Sequence, residues 1–328
     1  MCLPDCLSLV VNIRIACQLA AMTMPHIKHL VERRLPTAGF VDTALKGVQL
    51  FKVTEPVPCA PAVYEPTIVA ILSGRKEAVL DGQKHIYGSH QYLLCPMTVP
   101  VEAGAPQASA DEPLLGVMIA LDPRVMRELA MEMEASISGS RRHQGAASAL
   151  ALARWDTGFT EALLRLLELL DSPVDTAVLG PGRLRELYYA VLKGEAGAAA
   201  RGAFSVGNEI ARTIDYLSAH LNEQVTIDRL ADHAGMSRAA FHRRFKEATT
   251  MSPIQFVKSM RLNRAAMKIA DGETASEAAW DVGYHSSSQF SREFKRMYGL
   301  SPKEWGRSTK TAVQQASPLP GSIMQPAR

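Results

Sequence analysis

Between residues 47 and 120 the apolar positions come in short runs broken by Gly, Pro and Asp, a pattern that predicts strands. The runs cover residues 48–53, 67–72, 76–80, 83–87, 91–94 and 114–120. Asp81-Gly82 separates two of them, and a two-residue Asp-Gly turn is a strong hairpin signal because Gly accepts the positive φ it demands. Short, regularly spaced strands point to a small sandwich or barrel.

Past residue 122 the period lengthens from two to about three and a half. Residues 123–135 follow Asp122, a good N-cap, with Pro123 at the first helical position. Residues 148–170 place Phe159, Leu163, Leu166, Leu167 and Leu170 at helical spacing, and residues 183–193 read as another helix. Such a stripe serves either the core or a contact between two copies. The Gly- and Ala-rich stretch 194–207 reads as a linker.

Beyond it the sequence repeats. Phe241, Arg243, Phe245, Lys246, Ser252 and Pro253 recur as Phe290, Arg292, Phe294, Lys295, Ser301 and Pro302, every pair offset by 49 residues. Six identities at one offset mark a duplicated structural unit. Each copy opens with a short helix, 227–234 or 276–282, followed by a Gly-containing turn. A Ser-capped second helix comes next, over 238–248 or 287–297. That order is the helix-turn-helix arrangement. Phe241/Phe245 and Phe290/Phe294 lie at i, i+4 and must face the core, which turns Arg243 and Arg292 outward beside His242 and Gln289. The exposed N-terminal half of such a helix is what reaches base edges in a major groove. A plain four-helix domain would leave the duplication of charge and turn chemistry without a cause. Between the copies, residues 253–270 predict one amphipathic helix with Phe256, Met260, Met267 and Ile269 inward, ~27 Å long at 1.5 Å per residue. A rod of that length can hold two recognition helices about one DNA turn, ~34 Å, apart.

Charge sharpens this picture only when divided along the chain. Residues 205–310 carry 16 Lys and Arg against 12 Asp and Glu, a net of +4, leaving 20 against 21 elsewhere, a net of −1. The excess of positive charge thus sits on the repeat, as a polyanion partner requires. With 47% hydrophobic and 21% charged residues, the chain has the balance of a protein with a real core. Cys2, Cys6, Cys17, Cys59 and Cys95 form no CxxC pair and no zinc-type spacing, so a reducing compartment is expected. The apolar stretch 7–22 is interrupted by Asn12 and Arg14, lacks a basic leader, and is too short to span a bilayer. Residues 1–24 read as a loose N-terminus, with Met22 or Met24 as an alternative start, and the location as cytoplasmic.

The segment Gly283-Tyr284, Phe290-Ser291-Arg292-Glu293-Phe294-Lys295, Gly299-Leu300-Ser301-Pro302 resembles the signature of AraC/XylS-type transcriptional regulators. The resemblance covers about residues 208–307; Trp305 departs from it, standing where Tyr or Phe is more usual. More weakly, Phe51 to Pro56, Cys59 to Pro66 and Gly74-Arg75-Lys76 are similar to the N-terminal domain of one subgroup. The resemblance implies an α+β chain of two domains. A cupin-like β-barrel or sandwich with helices would span 25–200 and serve effector binding and oligomerisation. After a linker at 201–207, an all-α tandem helix-turn-helix domain would span 208–307, ahead of a disordered tail at 308–328. It implies base contacts from Ala239, His242 and Arg243 in the first unit and from Ser287, Ser288, Gln289 and Arg292 in the second. Arg238, Lys246 and Lys295 join them on the DNA-facing side. The partners implied are double-stranded promoter DNA, RNA polymerase, a small-molecule effector and a second copy of the chain.

A barrel of this kind also raises enzyme chemistry. Metal-dependent members place two His one residue apart with further ligands, whereas His85 and His90 are five apart and no H-x-H occurs. No nucleophile elbow or phosphate-binding Gly loop is present, so neither catalysis nor a cofactor is expected. Candidates for an effector pocket are Tyr64, Glu65, Arg75 and Tyr92, each of which also suits hairpin-end hydrogen bonding or surface charge. Cys59 and Cys95 offer the alternative of a regulator that senses an oxidant or electrophile; inert buried thiols are the plainer reading. An enzyme domain fused to a DNA-binding tail is a distant third.

Overall fold

The protein is described by a computed structural model covering residues 23–136, 148–205 and 208–315. The expected loose start at 1–24 therefore lies mostly outside the described residues, as does the tail from 316 onward. Residues 23–32 form helix α1, which buries Ile27, Leu30 and Val31.

Ten antiparallel strands follow in two sheets. They are β1 (Gly39–Asp42), β2 (Val48–Val53), β3 (Val57–Tyr64), β4 (Thr67–Ser73), β5 (Arg75–Leu80), β6 (Gln83–Gly88), β7 (Gln91–Cys95), β8 (Val99–Ala105), β9 (Leu114–Ala120) and β10 (Ala151–Arg154). One sheet runs β1-β2-β9-β4-β7-β10 and the other β3-β8-β5-β6, with no ladder joining them among the described residues. The barrel-or-sandwich expectation thus resolves as a sandwich. The Asp81-Gly82 turn is as foreseen: φ is 50° and 76° there, and Leu80 pairs with Gln83. Strand β4 reads apolar without alternation because both its faces are covered. Its Ala70 lies opposite Tyr92 of β7, which stacks at 4.5 Å on Phe159, on the helical side of the sheet.

That helical layer consists of α2 (Pro123–Ser136), α3 (Thr157–Glu168), α4 (Pro173–Lys193) and α5 (Gly197–Phe204). Asp122 caps α2 by accepting the Arg124 N–H at 2.8 Å, and Tyr188 of α4 donates to the Ala120 carbonyl at 2.6 Å. Two expectations are corrected. The stretch 148–170 is not one helix: residues 151–154 pair with β7 as β10, and Asp156 then caps α3 by accepting from the Phe159 N–H. The expected linker is also partly built, since α5 occupies 197–204 and buries Ala200, Ala203 and Phe204. Its small residues let it lie close against its neighbours; among 201–207, residues 206 and 207 lie outside the described set.

The C-terminal region is all helix: α6 (Glu209–Ala219), α7 (Ile227–His233), α8 (Arg238–Thr249), α9 (Pro253–Ala270), α10 (Ala275–Asp281), α11 (Ser287–Tyr298) and α12 (Pro302–Gln315). Helix α12 continues through 308–315, where a tail was expected. Long α9 lies against the edge of the second sheet. There Asn263, 2% exposed, donates from Nδ2 to the carbonyls of Ala62 on β3 and Val101 on β8, both at 2.8 Å, while its Oδ1 accepts from Tyr298 at 2.7 Å. Arg264, the next residue, pairs with Glu65 at 3.5 Å. The two domains are joined by specific polar contacts as well as by chain.

Candidate nucleic-acid interface

Each helix-turn-helix unit is set by its caps. In the first, Thr226 accepts the Arg229 N–H and Ser237 the Ala240 N–H, so both helix starts are fixed by side-chain oxygens. In the second, Thr274 and Glu277 form a reciprocal capping box and Ser286 accepts from Gln289. Gly283 of the second turn has φ +86°, and a Cβ there would sit 2.8 Å from the Leu221 carbonyl oxygen. Conformation and close backbone approach both require glycine at that point. Helix α11 ends on Gly299 in the left-handed region; at the equivalent end of α8 stands Thr250, φ 66°.

Packing then decides which side chains look outward. Phe241 and Phe245 are buried with rings 5.4 Å apart, and Phe290 and Phe294 repeat that spacing. The opposite faces carry every residue expected at DNA: Arg238, Ala239, His242, Arg243 and Lys246 on α8, and Ser287, Ser288, Gln289, Arg292 and Lys295 on α11, all exposed. Arg243 Nε lies 4.0 Å from Glu247, Arg238 3.6 Å from Asp228, and Gln289 donates loosely to Glu293 at 3.4 Å. Ion pairs at this exposure are weak and readily exchanged for phosphate or base contacts. Among the described residues Lys246, Arg292 and Lys295 form no ion pair. Arg244 and Arg296, not singled out from sequence, are exposed on the same two helices; each breaks the 49-residue identity, and so a search for repeats passes over it.

Helix α9 fixes the two units relative to each other. Arg261 donates to the carbonyls of Leu221 (2.9 Å) and Glu223 (2.7 Å) on the first unit's side. Lys258 pairs with Glu293 of α11 at 3.2 Å, and Tyr284 donates to the same carboxylate at 2.9 Å. Burial alone would raise the Glu293 carboxyl, but donors from Tyr284, Gln289 and Lys258 hold it below its ordinary value. Trp305 donates its indole N–H to Ala266 at 3.0 Å and packs on Tyr298, so the larger ring ties α12 to α9.

The effector candidates do not converge. Tyr64 is buried between the sheets, whereas Tyr92 is on the opposite face of the first sheet against α3. Glu65 accepts from Thr98 at 2.9 Å and faces Arg264 at the domain junction, and Arg75 is exposed. The thiols are unlike reactive ones. Cys95 is fully buried and donates to the Met97 carbonyl at 3.1 Å, with burial pushing its pKa up. Burial, then the carboxylate of Glu77, also raises Cys59, the opposite of what a thiolate needs. Among the described residues no three His, Cys, Asp or Glu gather to hold a metal ion, and no helix is long and apolar enough to cross a membrane.

A sandwich joined to two caps-and-phenylalanine helix-turn-helix units, with a cationic face on each second helix, defines a two-domain nucleic-acid-binding architecture. Comparison with known proteins makes this specific. Residues 44–199 match the family described as AraC-type transcriptional regulator N-terminus, and residues 230–308 match a helix-turn-helix domain family. The chain thus carries the N-terminal domain of AraC-type transcriptional regulators followed by a helix-turn-helix domain. It is 35% identical over 101 residues to the HTH-type transcriptional regulator MtrA of Neisseria gonorrhoeae, covering 30% of this chain and 32% of that one. It is 32% identical over 92 residues to the probable transcriptional regulator LumQ of Photobacterium leiognathi, covering 28% and 37%. The matched stretch is thus about a third of those relatives' length. Apo ToxT from Vibrio cholerae shares the fold over 83% of this chain and 98% of its own, at 12% identity and a TM-score of 0.51.

Proposed function

We propose that the chain is a sequence-specific regulator of transcription that grips double-stranded DNA through α8 and α11, one in each of two successive major grooves. What supports this most directly is the duplicated outward face, with Arg243 and Arg292 at equivalent places on units held by one helix, α9. An Arg in that position matches the O6 and N7 acceptors of guanine. Lys246 and Lys295, near the next helical turn, suit phosphate oxygens, which position a protein without reading sequence.

In this reading the N-terminal sandwich binds a small-molecule effector and joins two copies of the chain. Helix α4 leaves Val174 and Val178 71% and 72% exposed one turn apart, together with Tyr189. A second copy would cover that face, and pairing two DNA-binding domains raises avidity without a new contact. RNA polymerase is the protein partner and the cytoplasm the compartment. Sensing through Cys59 or Cys95 has less support, because both thiols are held protonated.

The experiment is a titration of the full chain with promoter fragments at several salt concentrations. Neutralised phosphates release counterions, so log K should fall steeply and linearly with log salt, by roughly 0.9 for each phosphate contacted. A slope near zero would remove the DNA-binding reading.

A further inference from the structure

The space between the two sheets holds polar groups that DNA binding leaves unused. Alternation along β5 puts Lys76, Ala78 and Leu80 on one face. Lys76 stands directly opposite Tyr87 of β6, and Ala78 opposite Ala103 of β8. Tyr87 is 1% exposed, and Ala78 and Leu80 are buried with it, so this face is the inner one. Tyr64 enters the same space from β3, flanked by Ala62.

The hydroxyls of Tyr64 and Tyr87 are buried without a hydrogen-bond partner. They lie close enough to influence each other's titration, but in a geometry that makes no proper hydrogen bond. Lys76 forms no ion pair among the described residues. Its neighbour Glu77 points to the other side of the sheet, where it takes Lys84 at 2.8 Å and the Cys59 thiol at 3.8 Å. Two phenols are therefore buried without partners beside a largely buried lysine that has no carboxylate to answer it, an arrangement that costs stability unless something else uses it.

We infer that this interior takes a small aldehyde and that Lys76 holds it as an imine, with Tyr64 and Tyr87 directed at the carbonyl oxygen. Desolvation pushes the Lys76 ammonium down to about 8. About a tenth of it is then free amine at pH 7, against well under a thousandth for an ordinary lysine. The amine lone pair attacks the carbonyl carbon and a C–N bond forms, while one amine proton passes to the oxygen. That oxygen leaves as water with the second amine proton, and a C=N bond remains. No oxidant or reductant enters, and water reverses the step, as an effector requires. Burial raises both phenols far above their ordinary values, so they keep their protons and serve as hydrogen-bond donors to the oxygen as it gains charge. The strand that carries Tyr64 also carries Ala62, whose carbonyl accepts from Asn263 of α9. A ligand pressing on Tyr64 acts on the strand that holds the DNA-binding domain.

This inference rests on the N-terminal domain being an effector module, and its test is separable from DNA binding. The full chain is treated at pH 7 with butanal and cyanoborohydride, which reduces imines irreversibly, and the modified peptides are identified by mass spectrometry. Lys76 should be butylated more than a hundredfold faster than exposed Lys84, in line with its larger fraction of free amine. Tyr64→Phe and Tyr87→Phe should each slow that capture while the melting temperature holds. Lys76→Met should abolish labelling of its peptide and leave affinity for a promoter fragment unchanged without aldehyde. Labelling of Lys76 no faster than of Lys84 in the wild-type chain overturns the proposal, whatever the variants do. Failure of the untreated chain to bind DNA overturns the regulator reading instead.

Discussion

The two helix-turn-helix units share their phenylalanine pairs, Ser caps and outward Arg, yet their surroundings differ. The first unit has no core of its own. Phe241, Phe245, Met251, Phe256 and Met260 continue the hydrophobic interior of the sandwich, and the Ala149 N–H bonds the Ala248 carbonyl across the junction at 2.9 Å. The second unit closes on itself, with Leu262, Ala266, Ile269, Val282, Phe290 and Phe294 forming a separate cluster. Charges diverge as well: Arg244 and Glu247 of α8 stand where α11 has Glu293 and Arg296. Glu293 is spent inward on Tyr284 and Lys258, while Arg244 stays exposed. Duplication thus supplied two units of the same kind, and packing joined one to the core of the N-terminal domain and the other to α9 and the backbone at Leu221.

Core truncation should break this comparison most forcefully. Phe245→Ala and Phe294→Ala each remove a fully buried ring and should cost about 3–5 kcal/mol. The consequences should differ in kind. In denaturant, Phe294→Ala should detach an early transition belonging to the second unit, while Phe245→Ala should lower the transition of the sandwich as well. A single transition, shifted equally by both substitutions, would mean that the two cores fold as one.

The domain junction comes next. Asn263→Ala removes both donors to Ala62 and Val101 and leaves the Tyr298 hydroxyl without its acceptor, a loss of about 1–3 kcal/mol. Asn263→Asp should be worse, because it sets a carboxylate against two carbonyl oxygens in a buried place. Chemical denaturation ranks the two. If the Asp variant is as stable as wild type, α9 is not held by this contact.

Why some of this is legible in the sequence and some is not follows from where the information lies. The repeat at a 49-residue offset needs no knowledge of packing, and Phe241/Phe245 at i, i+4 leaves Arg243 only the outside. The Asp81-Gly82 hairpin is equally local. Strand β3 is hidden because Pro58 and Pro61 argue against a strand, and such prolines are tolerated only at a sheet edge, where β3 sits. Residues 151–154 are apolar enough to extend the helical stripe; only pairing with β7 makes them a strand. Asn263 reads as a polar interruption of α9, since its partners are 201 and 162 residues away. Lys76 reads as an ordinary cation in an alternating strand, and its isolation depends on Glu77 turning to the opposite face.

The outward faces give the finest test of whether the two units read DNA alike. Arg243→Ala and Arg292→Ala should each cost ~1–3 kcal/mol on the specific site, with the loss confined to different base pairs. Those positions should lie about one helical turn, near 10 base pairs, apart, because α9 is tied to the first unit through Arg261 and to the second through Lys258. Lys246→Ala and Lys295→Ala should have the smaller and more uniform effect: affinity falls on every sequence, and the salt slope drops by about one for each. A base-substitution scan of the operator against wild type and the four variants separates the cases. Loss of discrimination by both Arg variants at the same base pairs would mean that one unit reads sequence and the other only supports it. The unit joined to the sandwich core would then have to be compared with its self-contained twin one substitution at a time to learn which reads.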